Sequence, residues 1–589
     1  MVCNNIAIIG FMGTGKSTVS KALAERLGRE CISIDALIEK RMRKKICKIF
    51  SEDDGENKFR KLESEILRYV LEKNKNAVID CGGGIILKKK NRNILKKNTT
   101  IICLTAKPHI VLARVSQEKE KRPLLNVPNK IRKIKEILLT RERLYKEISD
   151  ITIDTSKMSV KDIVNEICQF LKRRKNVVVK APASKSLTNR ALIIASLAKG
   201  TSTLRNVSFC EDTFHMINSL RVFGIRISKK KNKLLVNGTG GKLVAYGKKE
   251  LFVGNSGTAM RFLTTFAGLS KGGEITIRGN ERMNKRPIQD LIDALKQSGV
   301  AIHSKNNNGC PPVVIKSSKF FGGNIKLNGT TSSQYLSSLL MCAPFAKEGA
   351  KIEIIGELTS KPYVDMTIDL MKRFGVMVKR KDYKKFNITK QKYKARDILL
   401  EGDATNASYF FALAAITKGT IRVNEINPKT IQGDIKFLDI LKQMGCKIKK
   451  GKDWVEIQGR TLRGITTDMN SMPDVVPTLA IVALFAKGRT KIKNVKNLRI
   501  KETDRLRALT NELEKIGAKV KELEDGLLIS PVKKLKECKI ETYNDHRIAM
   551  SFGILSLVEP RIKIKNPNCV KKSFPEFWKI LRRIKNEWK

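Results

Sequence analysis

Short apolar runs separated by longer stretches of mixed polarity set the plan of the first part of the chain. Ile6–Ile9, Ala77–Asp80, Thr100–Leu104 and Ile151–Ile153 read as strands, and the stretches between them read as helices. That alternation predicts an α/β domain over residues 1–172, a parallel sheet covered by helices. The basic stretch 173–176 reads as a linker, after which Val177-Val178-Val179 starts a new strand.

Residues 177–589 repeat one pattern. In Leu220-Arg221-Val222-Phe223-Gly224-Ile225 a helical segment stops at a glycine and strand alternation follows. The same pattern returns at Gly299, Gly375, Gly445 and Gly517, about every 70–76 residues. Glycine suits the left-handed position that ends a helix, and a fixed period marks repeated structural units. Five copies plus a closing helix near Phe577–Ile584 predict six similar α/β units.

Composition narrows the function classes. At 589 residues the chain exceeds one core, and three or four domains are expected. No apolar stretch reaches the roughly 18 residues of a membrane span, and a strand so close to the N-terminus leaves no room for a signal segment. The twelve cysteines are scattered without a metal-like grouping. Reduced thiols and a cytoplasmic location are expected. The formal charge of +60 raises nucleic-acid binding. The lysines occur in every segment, however, and no arginine- or aromatic-rich patch stands out. A lysine-rich composition is the simpler reading, with small molecules rather than nucleic acid or membrane as partners.

The first strand runs into Gly10-Phe11-Met12-Gly13-Thr14-Gly15-Lys16-Ser17-Thr18, a complete GxxxxGK[ST] loop. Its glycines let backbone N–H groups surround phosphate oxygens, Lys16 reaches the outer phosphates, and Ser17 can hold Mg²⁺. ATP with Mg²⁺ is therefore expected here, bound by Gly13, Thr14, Gly15, Lys16, Ser17 and Thr18. The loop does not name the phosphoryl acceptor.

The surrounding segment resembles shikimate kinase through Asp35-Ala36-Leu37-Ile38-Glu39-Lys40-Arg41, Phe59-Arg60, Gly82-Gly83-Gly84, Lys121-Arg122-Pro123-Leu124-Leu125 and Arg141-Glu142-Arg143-Leu144-Tyr145. By that resemblance Asp35 would accept hydrogen bonds from shikimate hydroxyls and take part in catalysis. Arg60 and Arg141 would hold the carboxylate, with Gly83 and Gly84 allowing close backbone approach. Arg122 would swing in on a lid and neutralise charge on the transferring phosphoryl group. Such residue types suit a small anionic polyol, which needs an Arg clamp and a carboxylate facing its hydroxyls. Three positions depart from the family. Ser33 stands where a second acidic residue usually lies near the metal's waters, Cys81 where a threonine usually precedes the glycines, and Arg143 at a common proline. An active kinase is still expected, with weaker Mg²⁺ binding from the missing carboxylate at position 33.

From about residue 177 the chain resembles 5-enolpyruvylshikimate-3-phosphate (EPSP) synthase. The resemblance rests on Pro182-Ala183-Ser184-Lys185-Ser186, Gly254-Asn255-Ser256-Gly257-Thr258-Ala259-Met260-Arg261, Arg286-Pro287-Ile288, Ser332-Ser333-Gln334 and Ser360-Lys361-Pro362-Tyr363. It continues through Pro473-Asp474, Lys501-Glu502-Thr503-Asp504-Arg505, Tyr543-Asn544-Asp545-His546-Arg547 and Lys572-Ser573-Phe574-Pro575. It implies two lobes of three βαβαββ units each, lobe A over 183–402 and lobe B over 177–182 plus 403–589. Phosphoenolpyruvate would be held by Lys185, Asn255, Gly257, Arg286, Gln334, Arg505, Arg547 and Lys572. Shikimate 3-phosphate would be held by Lys185, Ser186, Arg190, Ser332, Ser333, Gln334, Ser360, Asp474, Asn497 and Lys501. Asp474, Glu502 and Lys185 are the candidate proton carriers, and no cofactor is implied.

Chemistry supports this set, because the two substrates together carry roughly −5 to −6 near neutral pH and need matching cations in a closed cleft. His546 is expected to be structural. Phe262, at a common proline, is expected to displace its helix slightly and alter the response to glyphosate, the family's inhibitor. The resemblances together imply a monomeric, two-reaction enzyme of aromatic biosynthesis without substantial channelling. The alternatives are a UDP-N-acetylglucosamine enolpyruvyl transferase in the second half, or a basic nucleic-acid-binding P-loop ATPase.

Overall fold

Five parallel strands form the sheet of the first unit, Met1–Arg173, in the order Cys31–Ser33, Val78–Asp80, Asn5–Gly10, Thr99–Thr105, Ile151–Asp154. The computed structural model describes residues 5–74, 76–117, 123–125, 127–173, 176–316 and 320–588. Four of the five strands coincide with the apolar runs. The fifth, Cys31–Ser33, is a three-residue edge strand too short to show a period. Alternate residues of the central strand serve different cores. Ala7 and Ile9 pack with Phe59, Ile66 and Leu67, whereas Ile6 and Ile8 pack with Val19 and Leu23 of the helix Lys16–Leu27.

The helix Val160–Arg173 and the strand Asn176–Lys180 bracket Arg174 and Lys175, which lie outside the described residues. The expected linker of 173–176 is thereby shortened at both ends. The second unit, Arg174–Lys589, contains two separate apolar cores. One gathers residues from Leu187 to Leu400, the other Val177–Ala181 with residues from Ala404 to Ile584. The chain passes between them where Ala183 and Gly402 form an antiparallel bridge. Gly402 is required there, since a Cβ would lie 2.1 Å from the Glu425 carbonyl oxygen.

One sheet design recurs five times in this unit. Each copy has four strands, two parallel neighbours followed by two antiparallel ones. Lys248–Phe252, Glu274–Arg278, Val313–Lys316 and Ile302–Ser304 give the order in one copy. A sixth unit keeps only the parallel pair Lys539–Ile540 and Lys563–Ile564, closed by the helix Phe577–Trp588. The five periodic glycines all have positive φ, from 78° at Gly224 to 116° at Gly445, as the helix-ending role demands. Leu339 is fully buried in the core of the lobe over 187–400. Leu339→Ala should cost about 2–5 kcal/mol. Scanning calorimetry of the whole chain should show the transition of the second unit lowered and that of Met1–Arg173 unmoved.

Candidate active sites

In the first unit the sheet's C-terminal edge carries the phosphate loop. Gly15 caps the helix Lys16–Leu27 in a left-handed conformation, and Gly13 also has positive φ. Lys16 Nζ and Thr14 Oγ1 both donate to the Phe11 carbonyl, at 3.1 and 2.7 Å. Arg114 braces the loop from behind, donating to the Gly13 carbonyl at 3.3 Å and to Thr155 at 2.9 and 3.0 Å. Neither Arg114 nor Thr155 belongs to a motif, so nothing in the sequence marked them.

The triple glycine brings the acceptor-site candidates to this loop. A Cβ on Gly84 would fall 2.2 Å from the Arg60 guanidinium, and one on Gly82 would fall 2.7 Å from Asp35 Oδ1. Gly83 faces the loop itself, 3.4 Å from the Gly10 carbonyl oxygen by the same measure. Arg141 Nη1 and the Tyr145 hydroxyl both donate to the Gly83 carbonyl. Arg60 is buried and pairs with Glu63 at 3.1 Å. Burial pushes the Glu63 pKa up to about 7 against the pull of Arg60. Cys81 is buried and its thiol is raised well above the ordinary range, chiefly by burial, so it acts as packing. Ser33 caps the helix Ile34–Met42 by accepting from the Ala36 amide, which fixes Asp35 in that helix's first turn. Ser17 and Thr18 are exposed at the start of the loop helix. Arg122 lies outside the described residues.

In the second unit a cleft between the lobes collects residues from distant segments. It is lined by Lys185, Ser186, Arg190, Gly257, Arg286, Ser332, Ser333, Gln334, Ser360, Asp474, Asn497, Lys501, Glu502, Arg547 and Lys572, with Asp212 and His546. Five helices place first-turn residues in this wall, starting at Lys185, Gly257, Ser333, Pro362 and His546. Ser184, Ser256, Ser332 and Asp545 cap four of them through their side chains. Helix N-termini add positive potential suited to anions. The lobes touch directly. Arg282 donates to the Lys501 and Glu502 carbonyls at 2.8 and 3.0 Å, and Asn497 donates to Thr359 Oγ1 at 3.0 Å.

The cations are not all unengaged. Arg505 is 1% exposed and donates to Asp474, Glu502 and Asp545 at 2.8–2.9 Å. It therefore sits behind the cleft surface instead of lining it, and Asn255 is also absent from the wall. Arg547 Nη2 donates to Asp474 at 3.1 Å, Lys572 pairs with Glu502, and Lys185 Nζ lies 2.7 Å from Asp212. Burial works to raise the Asp474 pKa, but Arg547, Arg505 and Lys501 outweigh it and hold the carboxyl well below its usual range. Glu502 is likewise held low, with Lys572 and Arg505 outweighing burial. Burial lowers Arg190 to about 10; its guanidinium donates to Thr367 at 2.7 Å and lies 5.2 Å from the Phe262 ring centroid. Phe262 is thus buried packing beneath Arg190.

Arg286 differs from its neighbours. It is 6% exposed, and its Nε and Nη1 have no hydrogen-bond acceptor among the described residues. Gly257 makes room for it, because a Cβ there would fall 2.9 Å from Arg286 Nη1 and 2.5 Å from Arg261 Nη1. A buried guanidinium with unmet donors calls for an anionic ligand. His546, expected to be structural, is in the cleft wall with neither ring nitrogen hydrogen-bonded among the described residues. Burial, then Lys572 and Arg547, push its pKa well down, so it is neutral. Asp212, Asp434 and Asp545 went unnoticed in the sequence because they lie outside the apparent binding motifs or within them without an obvious role.

Fold and cleft define an anion-handling transferase joined to a P-loop phosphoryl transferase. Residues 172–581 match the EPSP synthase (3-phosphoshikimate 1-carboxyvinyltransferase) family, and residues 12–172 match shikimate kinase. The 3-phosphoshikimate 1-carboxyvinyltransferase of Serratia proteamaculans is 46% identical over 413 residues, covering 69% of this chain and 96% of that protein. The enzyme of the same name from a Sulfurovum species is 44% identical over 410 residues, with 69% and 96% coverage. EPSP synthase from Acinetobacter baumannii has a similar structure, with TM-score 0.58 and 26% identity, covering 69% of this chain and 95% of that one. The chain belongs to the EPSP synthase family and carries a shikimate kinase region ahead of it. It is a bifunctional transferase of the shikimate pathway.

Behind the cleft, Asp434 accepts from the Tyr363 hydroxyl at 3.0 Å and from Thr405, and burial raises its pKa to about 7 from 3.8. A raised folded-state pKa contributes stability below the unfolded value and loses it as pH climbs to the folded one. Asp434 should therefore cost the second unit up to about 4 kcal/mol between pH about 4 and 7. Denaturant titrations across that range should give a flatter stability profile for Asp434→Asn than for the unaltered chain.

Proposed function

We propose that the two reactions run in sequence through the residues gathered above. In the first unit ATP lies on the Gly13–Thr18 loop, and the shikimate hydroxyls face Asp35. Arg60 and Arg141 hold the shikimate carboxylate, and the glycines at 83 and 84 let the backbone approach it closely. Arg122 supplies charge to the transferring phosphoryl group, as the motif Lys121-Arg122-Pro123 suggests. The first-turn hydroxyl of the exposed Ser17 is an oxygen donor of the type that suits Mg²⁺. Mg²⁺, when bound, would neutralise phosphate charge there. Product shikimate 3-phosphate then diffuses to the second unit without substantial channelling.

In the cleft, Ser186, Arg190, Ser332, Ser333, Gln334, Ser360, Asn497 and Lys501 take shikimate 3-phosphate. Lys185, Gly257, Arg286, Arg547 and Lys572 take phosphoenolpyruvate, with Asn255 and Arg505 joining only if they exchange their present surroundings. The substrate 5-hydroxyl adds to C2 of the enolpyruvyl group while its methylene carbon gains a proton; loss of that proton and of phosphate restores the double bond. On this reading Asp474 takes the hydroxyl proton, and Glu502 and Lys185 exchange protons with the methylene carbon and departing phosphate. The neutral His546 beside Lys572 and Arg547 joins the cleft as a hydrogen-bonding group. No cofactor enters this half of the reading. The reading is of a monomer working in the cytoplasm on small anions. Nucleic acid is not a partner in this reading.

The observation that carries it is Arg286, a buried guanidinium with unmet donors at the cleft. A coupled assay following ADP and phosphate separately tests both halves. Lys16→Met should abolish ADP formation from ATP and shikimate while leaving phosphate release from added shikimate 3-phosphate intact. Arg286→Ala should do the reverse, raising KM for phosphoenolpyruvate on the order of 100-fold for the loss of charge-assisted hydrogen bonds. Loss of both activities in either variant would contradict the assignment.

A further inference from the structure

The family's acidic residue is missing at position 33, yet the sheet supplies another carboxylate beside it. Strand register pairs Ser33 with Asp80, and Asp80 in turn with Ile8 of the strand that enters the phosphate loop. Residues in register on neighbouring parallel strands point to the same face, and alternate residues of one strand share a face. Val78 packs with Val19, Leu23 and Ala24 of the phosphate-loop helix, while Ile79 belongs to the core on the opposite side. Asp80, two residues after Val78, therefore lies on the side of Lys16–Leu27, at the C-terminal end of its strand. It is 7% exposed. Ser33 is on the same face, but its hydroxyl caps the helix that carries Asp35.

We propose that Asp80 replaces the absent carboxylate of position 33 as the residue that, with Ser17, holds the divalent cation of the bound nucleotide. The acidic group has moved one strand inward, about 4.8 Å, toward the phosphate loop. P-loop enzymes hold their cation with the Ser or Thr of the loop and an aspartate from outside it. Ser33 is then no defect in the site. The inference rests on the kinase reading of the first unit, and its test is independent of shikimate turnover.

Calorimetric titration of the full chain with ADP at a series of Mg²⁺ concentrations reads cation binding directly. Asp80→Asn should raise the Mg²⁺ requirement for tight ADP binding by about 10–100-fold, the usual cost of losing a group that orients a bound metal. ADP affinity without Mg²⁺ should not weaken. Ser33→Asp added to Asp80→Asn should recover most of the loss. Ser33→Asp alone should gain less than about 3-fold, since the carboxylate is already supplied. An unchanged Mg²⁺ requirement in Asp80→Asn, or a gain of about 10-fold or more from Ser33→Asp alone, would overturn the proposal. The Ser33→Asp comparison decides the matter if Asp80→Asn fails to fold. A wild-type chain that binds no ADP at all would sink the kinase reading itself.

Discussion

The cleft of the second unit is organised around one guanidinium. Arg505 reaches Asp474, Glu502 and Asp545, which come from three segments far apart in sequence. Buried ion groups of this kind contribute little net stability, because the desolvation of each charge offsets most of the attraction. What they do fix is position. Asp474 and Glu502 each keep one oxygen on Arg505 and turn the other toward a second cation, Arg547 or Lys572. Asp545 meanwhile caps the helix that presents His546 and Arg547. Removal of Arg505 would strip the guanidinium from the buried Asp545 and one of two cations from each of Asp474 and Glu502, so it holds the cleft's chemistry in place without facing the cleft.

Duplication explains why so many anion-binding groups converge. A unit whose helices start at the end of a parallel strand pair exposes helix N-termini on one side of its sheet. Several such units arranged around two cores bring those N-termini to the cleft between the lobes, where Lys185, Gly257, Ser333 and His546 each occupy a first turn. The backbone thus supplies positive potential before any side chain is counted. The last unit has lost its antiparallel hairpin but kept the helix His546–Leu555 that carries Arg547. The part retained is the part that faces the cleft.

The repeat was legible because its signal is local: a glycine with positive φ after each helix, at a regular interval. The phosphate loop was legible for the same reason, its glycines and Lys16 being contiguous. What escaped were pairings across long intervals. Lys185 with Asp212 and Arg505 with Asp545 obey no helical or strand period. Seven cations counted from motifs therefore overstated the free positive charge of the cleft, for Asp212, Asp474, Glu502 and Asp545 neutralise much of it. Strand register is equally silent in sequence, and so Ser33 read as a lost carboxylate while Asp80 passed unremarked at the end of an apolar run.

The neutralised cleft bears on how Asp474 can act as a base. With Arg547, Arg505 and Lys501 pressing on it, its carboxylate holds protons too weakly to draw one from an alcohol. Substrate phosphates and carboxylates are stronger claims on Arg547 and Lys501 than a single carboxylate is, since each brings several charged oxygens. Their arrival would divert those cations from Asp474, and burial, already working to raise its pKa, would then meet less opposition. Arg505 would stay on Asp474 through its other carboxylate contacts and keep the group aimed. On the proposed assignment the base is weak while the cleft is empty and becomes competent as the two anions fill it, so that activation and substrate binding are one electrostatic event.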